Sequence, residues 1–287
     1  MGFKLAYRMS IALLKNKKVV VVLSIFLAFC VWWPLLHFGH RENTNHILDW
    51  FAATYGIVAL LGGLWGISIS KKWGGGKSII GRAVLMFSIG LLAQEFGQLA
   101  YAYYAIVKVV EVPYPSFGDI GYFGSVLFYI YGAILLTKAV GVKFSLKKLG
   151  NKALALLLPL LLLVTSYLFF LRDYQANWHH PLTVLLDFGY PLGQAIYIAI
   201  AILAFVLSRK LLGGVMRSKI LFIIFALCAQ YAADFNFLYQ ASKTTWITAG
   251  YGDMLYLLSY MVMTLALLNI SVQSLKIQQR AAEASQG

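Results

Sequence analysis

The chain has 287 residues, 61% of them hydrophobic and 12% charged, whereas a soluble domain of this size is about half apolar and about a quarter charged. The apolar residues are gathered into blocks of roughly twenty, the length that crosses a hydrocarbon core at about 1.5 Å per residue, which excludes an ordinary soluble domain. The formal net charge of +14 would suit a nucleic-acid binder, but the charges lie between the apolar blocks and point to a membrane instead.

The first block, 19–38, is too long for a cleavable signal. It carries Trp32, Trp33 and Pro34, and no small-residue cleavage site follows. The remaining candidate spans are 47–70, 83–106, 117–139, 153–171, 182–207, 220–239 and 251–272. The connections between them alternate in character. Residues 1–18 hold Lys4, Arg8, Lys15, Lys17 and Lys18, and the second-to-third connection holds Lys71, Lys72, Lys77 and Arg82. The fourth-to-fifth holds Lys138, Lys143, Lys147, Lys148 and Lys152, the sixth-to-seventh Arg209, Lys210, Arg217 and Lys219, and the tail Lys276 and Arg280. Of the 24 basic residues only Arg41, Lys108, Arg172 and Lys243 fall on the opposite side. Cationic loops stay in the cytoplasm, so eight spans with both termini inside are expected, and the basic face should attract anionic lipid. The fold class expected is all-α, a polytopic membrane protein of eight transmembrane helices.

The acids run the other way. Glu42, Asp49, Glu111, Asp119, Asp173, Asp187 and Asp253 fall in outer loops or outer helix ends, as do all five histidines. Asp234 lies toward the outer half of the seventh span and Glu95 near the middle of the third. Insertion rules do not require this asymmetry, so it suggests a polar outer vestibule.

The second half echoes the first. Leu48-Asp49-Trp50-Phe51 matches Leu186-Asp187-Phe188-Gly189, and Gln94-Glu95-Phe96-Gly97-Gln98 matches Gln230-Tyr231-Ala232-Ala233-Asp234. Gly118-Asp119-Ile120-Gly121-Tyr122 matches Gly252-Asp253-Met254-Leu255-Tyr256. The offsets are nearly constant (187 − 49 = 138, 230 − 94 = 136, 253 − 119 = 134). A four-span repeat keeps its orientation, so two parallel sets of four are expected, 19–140 and 153–272, flanked by the basic segment 1–18 and the tail 273–287. Convergent composition of helix starts is the alternative. A related Gly193-Gln194-Ala195-Ile196-Tyr197 occurs in the sixth span. Asp119 and Asp253 read either as helix caps or as ligand groups, with Tyr122 and Tyr256 on the same face and their hydroxyls at the interface.

Ionisable groups inside a bilayer cost at least ~2.5 kcal/mol and must face the protein interior, a partner or water. Glu95, Gln98, Asp119, Tyr122, Asp187, Gln194, Asp234, Asp253 and Tyr256 are therefore the candidate ligand-binding residues, with Gln94 and Gln230 beside them. The competing reading is a hydrogen-bond network that only holds the bundle together. Pro191, four residues after Asp187, should kink the sixth helix. His37, His40, His46, His179 and His180 read as solvated or pH-responsive rather than as metal ligands. No mid-span lysine suits retinal, no nucleophile–base pair suggests an enzyme, and Gly74-Gly75-Gly76-Lys77 lacks phosphate-loop spacing. No cofactor can be named. Trp32, Trp33, Tyr101, Tyr103, Tyr104, Trp178 and Trp246 mostly flank spans, as interface belts do.

Three motifs together are similar to a known module: Pro113-Tyr114-Pro115-Ser116-Phe117-Gly118-Asp119-Ile120-Gly121-Tyr122, Asp187-Phe188-Gly189-Tyr190-Pro191-Leu192-Gly193-Gln194, and Gly252-Asp253-Met254-Leu255-Tyr256. They resemble the multi-helix N-terminal membrane region found ahead of bacterial diguanylate cyclase, phosphodiesterase and some kinase domains. The resemblance covers roughly 90–272. Asp119 and Asp253 match its pattern, and Gln194 stands where Asp is usual. It implies signal input across a bacterial inner membrane. Only fifteen residues follow Val272, so either the input module stands alone or its output is expected from a separate signalling chain. The reading is a sensory module that binds a small ligand, lipid or cofactor from the outer side. Its expected partners are the bilayer, a signalling protein and a second copy of itself, and nucleic acid is not among them. A small-solute or proton-coupled transporter is the alternative.

Overall fold

The computed structural model describes residues 16–38, 46–139, 149–172, 174, 176–208 and 214–286, and among these there is no strand. His40, Arg41, Glu42 and Asp173 lie outside the described residues. Each apolar block forms a helix long and apolar enough to span a membrane. These are α1 (Lys17–Phe38), α2 (Ile47–Lys72), α3 (Ile79–Lys108), α4 (Phe117–Ala139), α5 (Lys152–Leu171), α6 (Pro181–Val206), α7 (Lys219–Ser242) and α8 (Tyr251–Ser271). The largest departure from the expected boundaries is at α3, which starts a turn earlier because Ser78 caps it. The Ser78 hydroxyl accepts the Gly81 N–H at 2.8 Å, satisfying one of the free donors of the first turn.

Helix ends meet in two layers. At the distal end, Trp33 Nε1 at the close of α1 donates to Ala249 O just before α8, at 2.9 Å. At the proximal end, Ser70 Oγ late in α2 donates to Gly81 O early in α3 at 2.7 Å, and buried Lys219 at the start of α7 donates to Asn269 late in α8. Successive spans therefore run antiparallel, and α2, α4, α6 and α8 all begin at the distal end.

Helix α8 is the axis of the bundle. Two-thirds of its most apolar window (67%) is buried, against 11% for α5 and 22% for α1. It packs on α1, α2 and α7, while α6 packs on α4, α5 and α7, and α3 is held between α2 and α4. Leu156, Leu157, Leu160, Leu161 and Val164 of α5 are exposed, an apolar face that suits lipid and would be a liability in water. At the α3–α4 contact the backbones themselves touch. A Cβ on Gly121 would overlap Ala93 O and lie 2.7 Å from Gly97 N, so only glycine allows this approach.

Two local features position the site. Helix α2 is broken at Tyr55–Gly56, between Ile47–Thr54 and Ile57–Lys72. Helix α6 remains helical from Pro181 to Ser208, with Pro191, the expected kink, inside it. Helix α8 continues past its span to Gln286, 36 residues in all and about 54 Å long at 1.5 Å per residue.

Candidate functional site

The site forms at the distal ends of the even-numbered helices. Asp253, in the first turn of α8, is 3% exposed. One oxygen accepts the Ala249 N–H at 2.7 Å and the other accepts the Tyr55 hydroxyl of α2 at 3.1 Å. Asp119, in the first turn of α4, does the same with different partners: the Ser116 N–H at 2.7 Å and the Tyr190 hydroxyl of α6 at 2.7 Å. Capping thus occupies one oxygen of each carboxyl group, and a phenol from another helix takes the second.

One turn further along, the tyrosines expected to place their hydroxyls at the interface turn inward instead. Tyr122 donates to Gln98 Oε1, and Gln98 Nε2 donates to Ala52 O at 2.9 Å. That carbonyl lies in the last turn of the Ile47–Thr54 segment, where the break in α2 ends the regular helix ladder. Tyr256 lies near Asp234, which accepts from Tyr197 at 2.9 Å and from Gln230 Nε2 at 3.0 Å. Deeper still, Gln94 Nε2 donates to Ser125 Oγ at 2.7 Å, Tyr260 donates to Gln94 Oε1 at 2.9 Å, and Ser259 donates to Gln230 Oε1 at 2.9 Å. An inward-facing phenol favours an acceptor where no water reaches, and Tyr55, Tyr122, Tyr197 and Tyr260 each find one, whereas the Tyr129 hydroxyl is buried without a partner.

Glu95 stands apart. It is 8% exposed, and its Oε2 is buried without a hydrogen-bond partner. It lies against the α2 break, where a Cβ on Gly56 would overlap Oε2. Gln194 is 4% exposed within α6, and none of the described hydrogen bonds ties it to the acids.

Asp187 belongs to a second, shallower place. Its two oxygens accept Tyr114 OH at 2.7 Å and Tyr174 OH at 2.6 Å. The hydrogen bond to Asp187 is the main reason the Tyr174 phenol is pushed up to about 12. Burial, followed by the hydrogen bond and charge of Asp187, raises Tyr114 as well. Beside these tyrosines is a cleft of about 290 Å³ lined by Tyr114, Pro115, Tyr174, Asn177, His180, Thr183 and Val184. This is near the lower end of the range for small-molecule pockets.

The nine residues singled out in the sequence therefore divide four ways, with Gln194 buried in α6 apart from the acids. Glu95, Gln98, Tyr122, Asp234, Asp253 and Tyr256 join a buried layer, Asp119 links that layer to the rim through Tyr190, and Asp187 sits at the rim cleft. Among the described residues no basic side chain lies within ion-pair distance of Glu95, Asp119, Asp187, Asp234 or Asp253. Nor do three His, Cys, Asp or Glu side chains converge to hold one metal ion. Sequence reasoning missed Tyr55, Tyr114, Tyr174 and Tyr260. Their signal was available, because a tyrosine inside an apolar block, such as Tyr55 or Tyr260, has to bury its hydroxyl against a partner.

No family model, no characterised protein and no solved structure was found to match the chain.

Proposed function

We propose that the chain is a sensory module of a cell membrane, with both termini in the cytoplasm and the acid–tyrosine layer on the outer side. In this reading a small ligand, lipid or cofactor binds at the outer end, and the change passes along α8 to a separate signalling protein. The observation that carries the proposal is the course of α8. It starts in the polar layer at Asp253, is the most buried span, and continues as helix to Gln286 beyond the opposite end. A rigid element running from a polar site to the far side suits transmission by a small shift or rotation. The distribution of the basic residues supports the sidedness.

The parallel four-plus-four repeat is part of this proposal, and the hydrogen bonds support it. Tyr55–Asp253 and Tyr190–Asp119 are equivalent bonds with their partners exchanged between halves, at spacings of 190 − 55 = 135 and 253 − 119 = 134. Gln94–Ser125 corresponds to Gln230–Ser259, and the Tyr122–Gln98 bond to the proximity of Tyr256 and Asp234. In that register Asp187 stands opposite Ala52 rather than Asp49, and Pro191 stands opposite Gly56.

Mass spectrometry of the protein purified in mild detergent tests the binding step. A small molecule that co-purifies with the wild type and is lost on Asp187→Asn supports it. If nothing co-purifies, and Asp187→Asn changes only thermal stability, the polar layer is a structural network. Transport is the second reading, favoured by the interruption of α2 beside the buried acids, although the matching position in the other half, Pro191, lies within uninterrupted helix, so a break is present in one half alone. Proton-coupled uptake into vesicles, abolished by Asp234→Asn, would favour it over sensing.

A further inference from the structure

Glu95 differs from Asp49, Asp119, Asp187, Asp234 and Asp253, the other acids of the described spans, in how its oxygens are used. Asp253, Asp119, Asp187 and Asp234 each accept at least two hydrogen bonds. Glu95 is more than nine-tenths buried, with one oxygen unpartnered and no basic side chain within ion-pair distance among the described residues. A buried carboxyl oxygen left without any donor is costly, so in a native bundle it implies a partner that the protein's own side chains do not supply.

One observation indicates what kind of partner, and a second, which rests on the proposed repeat, sets Glu95 apart from the groups that hold the halves together. The first is the break in α2. Glu95 Oε2 occupies the space that a side chain at Gly56 would take, so it sits directly on the interruption. Tyr55 and Gly56 keep helical dihedrals, so the chain continues, but the ladder is interrupted there and carbonyls of the preceding turn lose their helical donors; freed carbonyls of this kind coordinate small cations. One of these carbonyls, Ala52 O, is drawn off by Gln98 Nε2. The second is the lack of a counterpart. In the register of the matched hydrogen bonds, the position equivalent to Glu95 is Tyr231, so the acid is not part of the duplicated frame. Groups repeated in both halves are explained by holding the halves together, and Glu95 is not.

We propose that Glu95 and the broken segment of α2 at Tyr55–Gly56 form a binding site for a small monovalent cation, with sodium as the probe. The donors offered are oxygens alone, a carboxylate and helix-end carbonyls, which select hard cations over soft ones. A single carboxylate matches a single positive charge. Divalent ions would call for more acids than are gathered here, as no three acidic or histidine side chains converge among the described residues.

The test is the thermal unfolding midpoint of the full chain in mild detergent, with sodium chloride titrated against choline chloride at constant ionic strength, and potassium chloride as a second series. The expected result is a saturable rise in the midpoint with sodium or potassium and none with choline. Glu95→Gln should abolish the rise, and so should Gly56→Ala, whose methyl group would displace the carboxyl oxygen. Asp187→Asn should leave the rise intact, so loss of the rim cleft and loss of the cation site are separable. Identical midpoints in all three salts for the wild type would overturn the proposal and leave Glu95 as a carboxyl group that carries its own proton. Unchanged sodium dependence in whichever of Glu95→Gln and Gly56→Ala folds would also overturn it.

Discussion

The phenol-to-carboxyl bonds at Tyr55 and Tyr190 are chemically alike but differ in burial, so they make a controlled comparison. Tyr55 and Asp253 are each 3% exposed, and Tyr55→Phe would leave Asp253 Oδ1 buried without its phenol donor. Tyr190 and Asp119 are half-buried, so water can replace the lost hydroxyl of Tyr190→Phe. A hydrogen bond to a charged group is worth about 1.5–3 kcal/mol when its loss strands the acceptor. Interhelical bonds measured in a membrane average about 0.6 and reach about 1.7 kcal/mol. The expected costs are therefore about 1.5 kcal/mol for Tyr55→Phe, roughly a tenfold shift in the unfolding equilibrium, and about 0.5 kcal/mol for Tyr190→Phe. Reversible unfolding in mixed micelles of rising SDS fraction, followed by tryptophan fluorescence, measures both. Equal costs, or a larger cost at Tyr190, would refute the claim that burial of the layer sets the strength of these bonds.

Gly121→Ala should destabilise by about 1–2 kcal/mol, since an overpacked backbone contact costs about 1–3 kcal/mol and the gain in helix propensity returns only about 1. Gly124→Ala, with nothing within 4 Å of the added methyl group, should be neutral or stabilising in the same micelle titration. Asn269→Leu removes a partner of the buried Lys219 ammonium and should cost more than the double change Lys219→Met with Asn269→Leu, which removes the charge as well; a double-mutant cycle measures the difference. The Tyr174 phenol titrates at about 12 in the folded protein, above its ordinary value near 10. Its contribution to stability is therefore complete below pH 10 and lost as the pH rises through 12. Phenolate absorbance, taken as the difference from Tyr174→Phe, should shift back toward 10 in Asp187→Asn.

The span positions were legible because their signal is one-dimensional: apolar length and intervening charge are written directly in the chain. The acids were legible for a related reason, since each one inside an apolar block demands an explanation. Their partners were harder to read. Tyr55 meets Asp253 across 198 residues and Tyr260 meets Gln94 across 166, and no local pattern announces contacts of that separation. Tyr122 and Tyr256 were placed at an interface because a tyrosine one turn from a helix start often sits there, yet the close α3–α4 packing at Gly97 and Gly121 turns Tyr122 inward. The break in α2 falls at Gly56 rather than at a proline, while Pro191 is accommodated inside α6 without interruption.

Sidedness underlies every functional statement made for this bundle, and cysteine accessibility in intact cells tests it most directly. In a background with Cys30 and Cys228 replaced by Ala, Asn177→Cys at the distal cleft and Lys77→Cys in the proximal α2–α3 connection are treated with a membrane-impermeant maleimide. Labelling of Asn177→Cys in intact cells, with Lys77→Cys labelled only after permeabilisation, is the predicted result. Labelling of Lys77→Cys from outside, with Asn177→Cys protected until the membrane is opened, would contradict it.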